Sequence, residues 1–295
     1  MDIRLALLQE SKELVSFVKE HYDIGKSVNP YISYDDMKRY ISSNQSFVLI
    51  ATDKNVTGFV LCIVLENKKA KYCHVTFLCV DKNKRKKGIA KLLISKIKTE
   101  CEERKIENGL YIGHGKGVSI KLISRPLNHK KCRNYGIACV NNGTHKKLKK
   151  LYSVALPEHC VYAETEKFKI TETNSIYYTC KCIRFRYLNI CSLFSTETVT
   201  ISWKPLHMYH RKLNKEFEMA HVFLSTRPPK YEEMQALFHY LHSLGYWNVF
   251  MYGMGHLANL EHESFHTIGS KKLQWFEHQD DFDKLEVGQL HIPMV

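Results

Sequence analysis

The sequence predicts an α+β fold in two halves around a mixed, central β-sheet. Three observations predict it: strand-length apolar runs in both halves, one long helix-period segment after the strands of each half, and a short strand after each helix. At 295 residues the chain can form two domains of ordinary size or one body of two halves. A boundary is expected near Asn141-Asn142-Gly143, dividing the chain into residues 1–145 and 146–295.

Residues 8–22 place Leu8, Leu14, Val15, Val18 and Tyr22 at helical spacing, with Ser11 as N-cap and Leu14 and Val18 towards the core. Residues 35–42 form a second short helix, with Met37, Tyr40 and Ile41 apolar. Residues 46–51 and 57–64 are strands joined by a T-D-K-N-V hairpin turn. A third strand spans residues 71–80, the long helix 92–103 and a further strand 110–112. The G-H-G-K-G run at 113–117 demands unusually free backbone. In the second half, strands are expected at 168–170, 176–185, 199–203 and 220–224. Pro228-Pro229 stops the last of these. A helix over 231–244 follows, with Met234, Leu237, Phe238 and Leu241 on one face, ended by Gly245. Residues 246–252 form the next strand.

A composition of 44% hydrophobic and 25% charged residues describes a soluble globular chain. No apolar run approaches the ~18 residues that span a bilayer. The start, M-D-I-R-L-A-L-L-Q-E-S-K-E-L, lacks a basic n-region, an uninterrupted h-region and a cleavage site. The expectation is a cytoplasmic protein with at most peripheral membrane contact. The ten cysteines fit that, showing no framework spacing and none in the last hundred residues. Cys180-x-Cys182 would share a strand face, but no second pair stands at ligand spacing, so no metal site is expected. The net charge of +14 calls for an anionic partner: nucleic acid, an anionic membrane surface or a polyanionic cofactor. The two densest basic clusters, residues 82–91 and 146–150, carry no interleaved aromatics for base stacking. Nucleic acid is therefore not the expected partner.

The most informative segment is V-T-F-L-C-V-D-K-N-K-R-K-K-G-I-A-K-L-L-I, residues 75–94. A strand runs into a basic turn and then a helix, so unpaired backbone N–H groups converge at the helix start. Lys82, Lys84, Arg85, Lys86 and Lys87 add full charges to the helix dipole, and Gly88 lets backbone approach a ligand closely. That is a pyrophosphate cradle. The competing reading is a Lys-rich solvated loop.

Arg85-Lys86-Lys87-Gly88-Ile89-Ala90 fits the R/Q-x-x-G-x-A turn of N-acetyltransferase-like (GNAT) folds, and is neither a Walker loop nor G-x-G-x-x-G. With Phe77-Leu78-Cys79-Val80 before it, the segment resembles the acyl-CoA-binding stretch of the N-myristoyltransferases. The likeness continues through E-L-V-S-F-V-K-E-H-Y, Leu110-Tyr111-Ile112-Gly113 and Arg125-Pro126-Leu127-Asn128. It extends to Lys150-Leu151-Tyr152, Leu156-Pro157-Glu158, residues 244–250 and residues 269–275. The resemblance is thinner from 160 to 225.

The resemblance implies a GNAT-like acyltransferase fold of two pseudo-symmetric halves. The first would bind myristoyl-CoA as acyl donor through Phe77, Leu78, Cys79, Val80, Arg85, Lys86, Lys87, Gly88, Ile89 and Ala90. The second would build most of the peptide groove. Myristate would pass to the N-terminal glycine amine of a protein, in a monomer with no permanently bound cofactor. It also implies an oxyanion hole from the backbone N–H groups of Phe77 and Leu78, freed by a bulge, and substrate contacts by Tyr22, Tyr34 and Tyr111. The base would be a terminal carboxylate, here Val295, with His114 as the alternative. Ile112 stands where the family has threonine, and Asp23-Ile24-Gly25-Lys26 replaces an acidic stretch. The chain begins almost at the first helix and is compact for the family, which a viral or otherwise reduced version would account for. The competing functions are transfer from acetyl-CoA or another short acyl-CoA, acyl-CoA binding without turnover, and nucleic-acid binding.

Overall fold

The computed structural model describes residues 1–23, 27–66, 71–106, 108–113, 117–135, 161–164, 167–168, 183–184, 192–195, 199–225, 227–258, 260 and 266–276. The chain divides into two compact units. The first comprises Met1–Gly113, His207–Phe217 and Gln274–Asp280, and the second His114–Leu206, Glu218–Leu273 and Asp281–Val295. The expected boundary near residue 145 lies outside the described residues.

The first unit holds β1 (Asp2–Leu5), α1 (Ser11–His21), β2 (Val28–Pro30), α2 (Tyr34–Ser42), β3 (Ser46–Asp53), β4 (Asn55–Glu66), β5 (Lys71–Val80), α3 (Ile89–Glu103) and β6 (Asn108–Gly113). Strands β1, β3, β4 and β5 pair antiparallel in that order, and β6 joins β5 in parallel. Val60 and Cys62 on one face of β4 meet Ile89, Leu93, Ile97 and Cys101 of α3 in one core cluster. Phe59, Leu61 and Ile63, on the other face by the two-residue period, are also fully buried. Helix α1 packs on β4 and β5, with Leu14 and Val18 completely buried as the spacing predicts.

Ser11 does not cap α1. The residues before it form a 3-10 turn, Leu8–Glu10, and the buried Ser11 hydroxyl donates to the Leu8 carbonyl at 2.6 Å. Glu10 takes the terminal role instead. Its carboxylate accepts the Leu7 N–H at 2.7 Å and pairs with the Arg4 guanidinium at 2.6 Å. That pairing holds the Glu10 carboxyl below the usual carboxylate range. Two strand ends also differ from expectation: β3 and β4 close on Lys54 alone, at φ +65°, so the hairpin is tighter than T-D-K-N-V suggested.

The second unit holds β7 (Val118–Pro126), α4 (His129–Asn134), β8 (Val161–Glu164), β9 (Lys167–Phe168), β10 (Ile183–Arg184) and β11 (Ser192–Ser195). It continues with β12 (Thr200–His210), β13 (Lys215–Ser225), α5 (Tyr231–Ser243), β14 (Asn248–Gly253) and β15 (His266–Phe276). Residues 207–217 of β12 and β13 and the end of β15 count with the first unit. Strands run in the order β15-β7-β14-β13-β12-β11-β8, with β13 and β14 parallel and β7 antiparallel to β14. Met234, Leu237, Phe238 and Leu241 of α5 are buried against Ile201, Trp203, Val222 and Val249, and Gly245 ends the helix at φ +91° as expected.

The two units repeat one motif. A strand, a helix and a parallel return strand occur as β5-α3-β6 and again as β13-α5-β14. Strands β1, β2, β7, β8, β11 and β15 fall outside the strands expected from the sequence, and of these β7 and β15 pair with each other antiparallel.

Candidate acyl-CoA site

Two local distortions build the site in the first unit. Along β4 and β5 the register steps from Leu61↔Thr76 to Phe59↔Cys79, so Phe77 and Leu78 together face one residue of β4. This is a β-bulge, and Phe77 at its centre is left-handed at φ +53°. A non-glycine residue there costs on the order of 1 kcal/mol or more, so its surroundings must impose it. The Tyr22 ring packs on the Phe77 ring at 4.8 Å. On its other side, β5 pairs with β6 only as far as Val75↔Tyr111, two residues before Phe77.

The second distortion is the turn into α3. Asp81 accepts the Asn83 N–H at 2.9 Å, setting a 3-10 turn over Lys82–Lys84. Lys86 and Gly88 are then left-handed, at φ +64° and +79°. Helix α3 starts at Ile89, a turn earlier than the expected 92, so Gly88 is its N-cap and supplies no capping side chain. The first-turn N–H groups and the positive end of the dipole are left facing the turn. A Cβ built on Gly88 would meet nothing within 4 Å, so the space over this helix end is open.

Between the distortions lies a cavity of about 530 Å³, lined by His21, Tyr22, Asp23, Leu78, Cys79, Val80, Lys84, Arg85, Lys86, Gly88, Ile89 and Ala90. The sequence-expected residues Leu78, Cys79, Val80, Arg85, Lys86, Gly88, Ile89 and Ala90 are thus brought together. Phe77 and Lys87 are absent from the lining, and Lys87 is exposed. Tyr22 lines the cavity, whereas Tyr34 is 49% exposed at the start of α2, with Lys38 Nζ 5.3 Å from its ring centroid. Tyr111 sits on β6 and donates its hydroxyl to Gln274 Oε1 at 2.6 Å. Val295 and His114 lie outside the described residues, as do Cys180, Cys182 and the 146–150 basic run. Among the described residues no cluster of three or more His, Cys, Asp or Glu could hold a metal ion.

Arg85 has a different role from a bare phosphate contact. Its Nη2 donates to the His21 carbonyl at 3.0 Å and its Nε to the Val80 carbonyl at 3.4 Å, so it ties the turn to the end of α1. Arg211, which stands in no recognisable motif, grips the same chain end. Its guanidinium donates to the Glu20 and Tyr22 carbonyls at 3.2 and 2.7 Å and pairs with Asp23 at 3.0 Å. Two guanidiniums thus hold the helix C-terminus whose residues form one wall of the cavity, with charge matched to the negative end of the dipole. His21 Nδ1 accepts the Lys82 N–H at 3.2 Å, and burial, aided by the charges of Lys82 and Arg85, holds this imidazole below its ordinary pKa despite Glu20 and Asp81. Burial pushes the Cys79 thiol well up, which keeps it protonated and a poor nucleophile.

The lysines and the open helix end give this cavity a lining suited to an anionic group. Residues 9–117 match the model of the acetyltransferase (GNAT) domain. Saccharomyces cerevisiae N-myristoyltransferase with bound myristoyl-CoA superposes with a TM-score of 0.66 at 13% identity, over 95% of this chain and 79% of that one. A second structure of that yeast enzyme, with bound myristoyl-CoA and inhibitors, gives 0.70 at 11% identity, over 100% and 86%. The chain has the N-myristoyltransferase fold. No curated protein sequence matches it. At these identities the likeness is one of architecture, and it runs through both halves, whereas the GNAT domain model stops at residue 117. Among the described residues no helix is long and apolar enough to cross a membrane.

Proposed function

We propose that the protein transfers myristate from myristoyl-CoA to the N-terminal glycine amine of other proteins, the first half binding the acyl-CoA and the second building most of the peptide groove. The observation that carries this reading is the left-handed bulge at Phe77 beside a basic, uncapped helix N-terminus, inside a chain that keeps the N-myristoyltransferase fold along nearly its whole length. The coenzyme's pyrophosphate lies over the turn from Arg85 to Ala90, neutralised by Lys84 and Lys86 and by the helix dipole. The thioester reaches the bulge. The glycine nitrogen attacks the thioester carbonyl, and the backbone N–H groups of Phe77 and Leu78 stabilise the oxyanion. A C–N bond forms, the C–S bond breaks and coenzyme A leaves as the thiol. The ammonium of the incoming glycine first gives up its proton to a base, and among the described residues none is assigned that task. Burial holds the Cys79 thiol well above its ordinary pKa, which disfavours it as an acyl carrier and favours direct transfer.

The GNAT domain match over residues 9–117 favours a second reading, transfer from acetyl-CoA or another short acyl-CoA. The reaction itself is tested by incubating the protein with myristoyl-CoA and a peptide beginning with glycine. Mass spectrometry should find one myristoyl group on the peptide amine, and none on the same peptide with its amine blocked. A protein that binds myristoyl-CoA tightly yet modifies no glycine peptide would be an acyl-CoA-binding protein without turnover.

A further inference from the structure

We infer that Gln274 is a positioning residue that commits the Tyr111 phenol to act as a hydrogen-bond acceptor for the attacking amine; this rests on the acyl-transfer reading above. Tyr111 stands opposite Val75, the last residue of β5 to pair with β6. Phe77 follows two residues on, about 7 Å further along the strand direction. The Tyr111 O–H donates to Gln274 Oε1 at 2.6 Å, joining residues 163 positions apart in sequence.

A phenol carries one proton and two lone pairs. With the proton held by the Gln274 carbonyl, the oxygen presents only lone pairs to a ligand. It then favours a group rich in N–H donors, such as an amine or ammonium, and disfavours a carbonyl, carboxylate or phosphate oxygen. The arrangement is packed as well as hydrogen-bonded. A Cβ on Gly113 would lie 3.2 Å from Gln274 Nε2 and 3.2 Å from Tyr111 Cε2, so the glycine leaves room for both side chains. The neighbouring Ile112 has no hydroxyl to offer.

The test compares Tyr111→Phe, Gln274→Leu, Gln274→Glu and the double variant Tyr111→Phe/Gln274→Leu. Peptide kcat/KM and myristoyl-CoA affinity are measured for each. Tyr111→Phe and Gln274→Leu should each lower peptide kcat/KM by about tenfold or more, the scale of one hydrogen bond to a charged group. The double variant should be no worse than Tyr111→Phe, because the glutamine acts only through the phenol. Gln274→Glu, whose carboxylate still accepts the phenolic proton, should restore most of the activity, and myristoyl-CoA affinity should be unchanged throughout. Wild-type peptide kcat/KM in Gln274→Leu, or losses that add in the double variant, would overturn the positioning role and leave acyl transfer standing. Binding of myristoyl-CoA by the wild type with no peptide acylated would overturn the transfer reading and the positioning role with it.

Discussion

The variant Lys84→Glu/Lys86→Glu should lose acyl-CoA affinity by about two orders of magnitude or more while keeping its fold. Both lysines line the cavity beside the open start of α3. Reversing a charge near a pyrophosphate at a partly exposed site is worth roughly 1–2 kcal/mol, and two reversals give the predicted loss. The fold should survive, because the Lys84–Asp53 pair at 3.2 Å is a surface bridge, worth ~1 kcal/mol at most. Gly88→Val should weaken binding for a different reason. Gly88 is at φ +79°, where a β-branched residue is strained by ~1–2 kcal/mol, and its side chain would enter the open space over the helix end. Lys87→Glu is the control, with a smaller loss expected because Lys87 stands outside the lining. Titration calorimetry with myristoyl-CoA at low salt measures all three. Wild-type affinity in the folded double variant would remove the cradle from the account.

Gly58→Ala should be as damaging, although Gly58 stands outside the cavity lining. A Cβ there would stand 2.9 Å from Ile89 Cγ2, 3.0 Å from Leu93 Cδ1 and 3.3 Å from Ala51 Cβ. Helix α3 therefore lies on β4 with no room for a methyl group. Overpacking of this kind costs ~1–3 kcal/mol. The easiest relief is to lift the first turn of α3, which carries the open N–H groups. Acyl-CoA affinity should fall beyond the loss of stability. Adding Ile89→Ala removes the nearest clashing atom and should recover part of both. Chemical denaturation and calorimetry on the single and double variants check this. A Gly58→Ala protein with unchanged stability and affinity would show that α3 is not held where the argument needs it.

Local chemistry was legible where one element hands over directly to the next. The strand–basic turn–helix reading of residues 75–94 found the cavity lining from Leu78 to Ala90 because those residues are neighbours in sequence as well as in space. The helix start was read three residues late, since Gly88 has no capping side chain to mark it. Arg211 and Gln274 were invisible for the opposite reason. Each reaches its partner over a separation of 160 residues or more, and nothing around either residue announces the partner. β7 does carry a signal in the alternation of Val118, Ile120 and Leu122 with polar neighbours. β15 is rich in polar residues, with only Leu273 fully buried among those described, so its hydrophobic pattern is weak. The bulge at Phe77 leaves no mark in residue type, because an aromatic within an apolar run reads as ordinary strand. It was expected only from the family resemblance.

Competition between acyl donors tests the central claim most directly. The protein, a glycine-initiated peptide and equal concentrations of acetyl-CoA and myristoyl-CoA are combined, and the ratio of acetylated to myristoylated peptide is read by mass spectrometry at low conversion. Each buried methylene is worth ~0.8 kcal/mol, so a pocket that takes even half of the additional chain should prefer myristate by at least about three orders of magnitude. The expected product is almost wholly myristoylated. Equal amounts of the two products, or an excess of acetylated peptide, would contradict it and establish a short-chain GNAT acyltransferase on an N-myristoyltransferase frame.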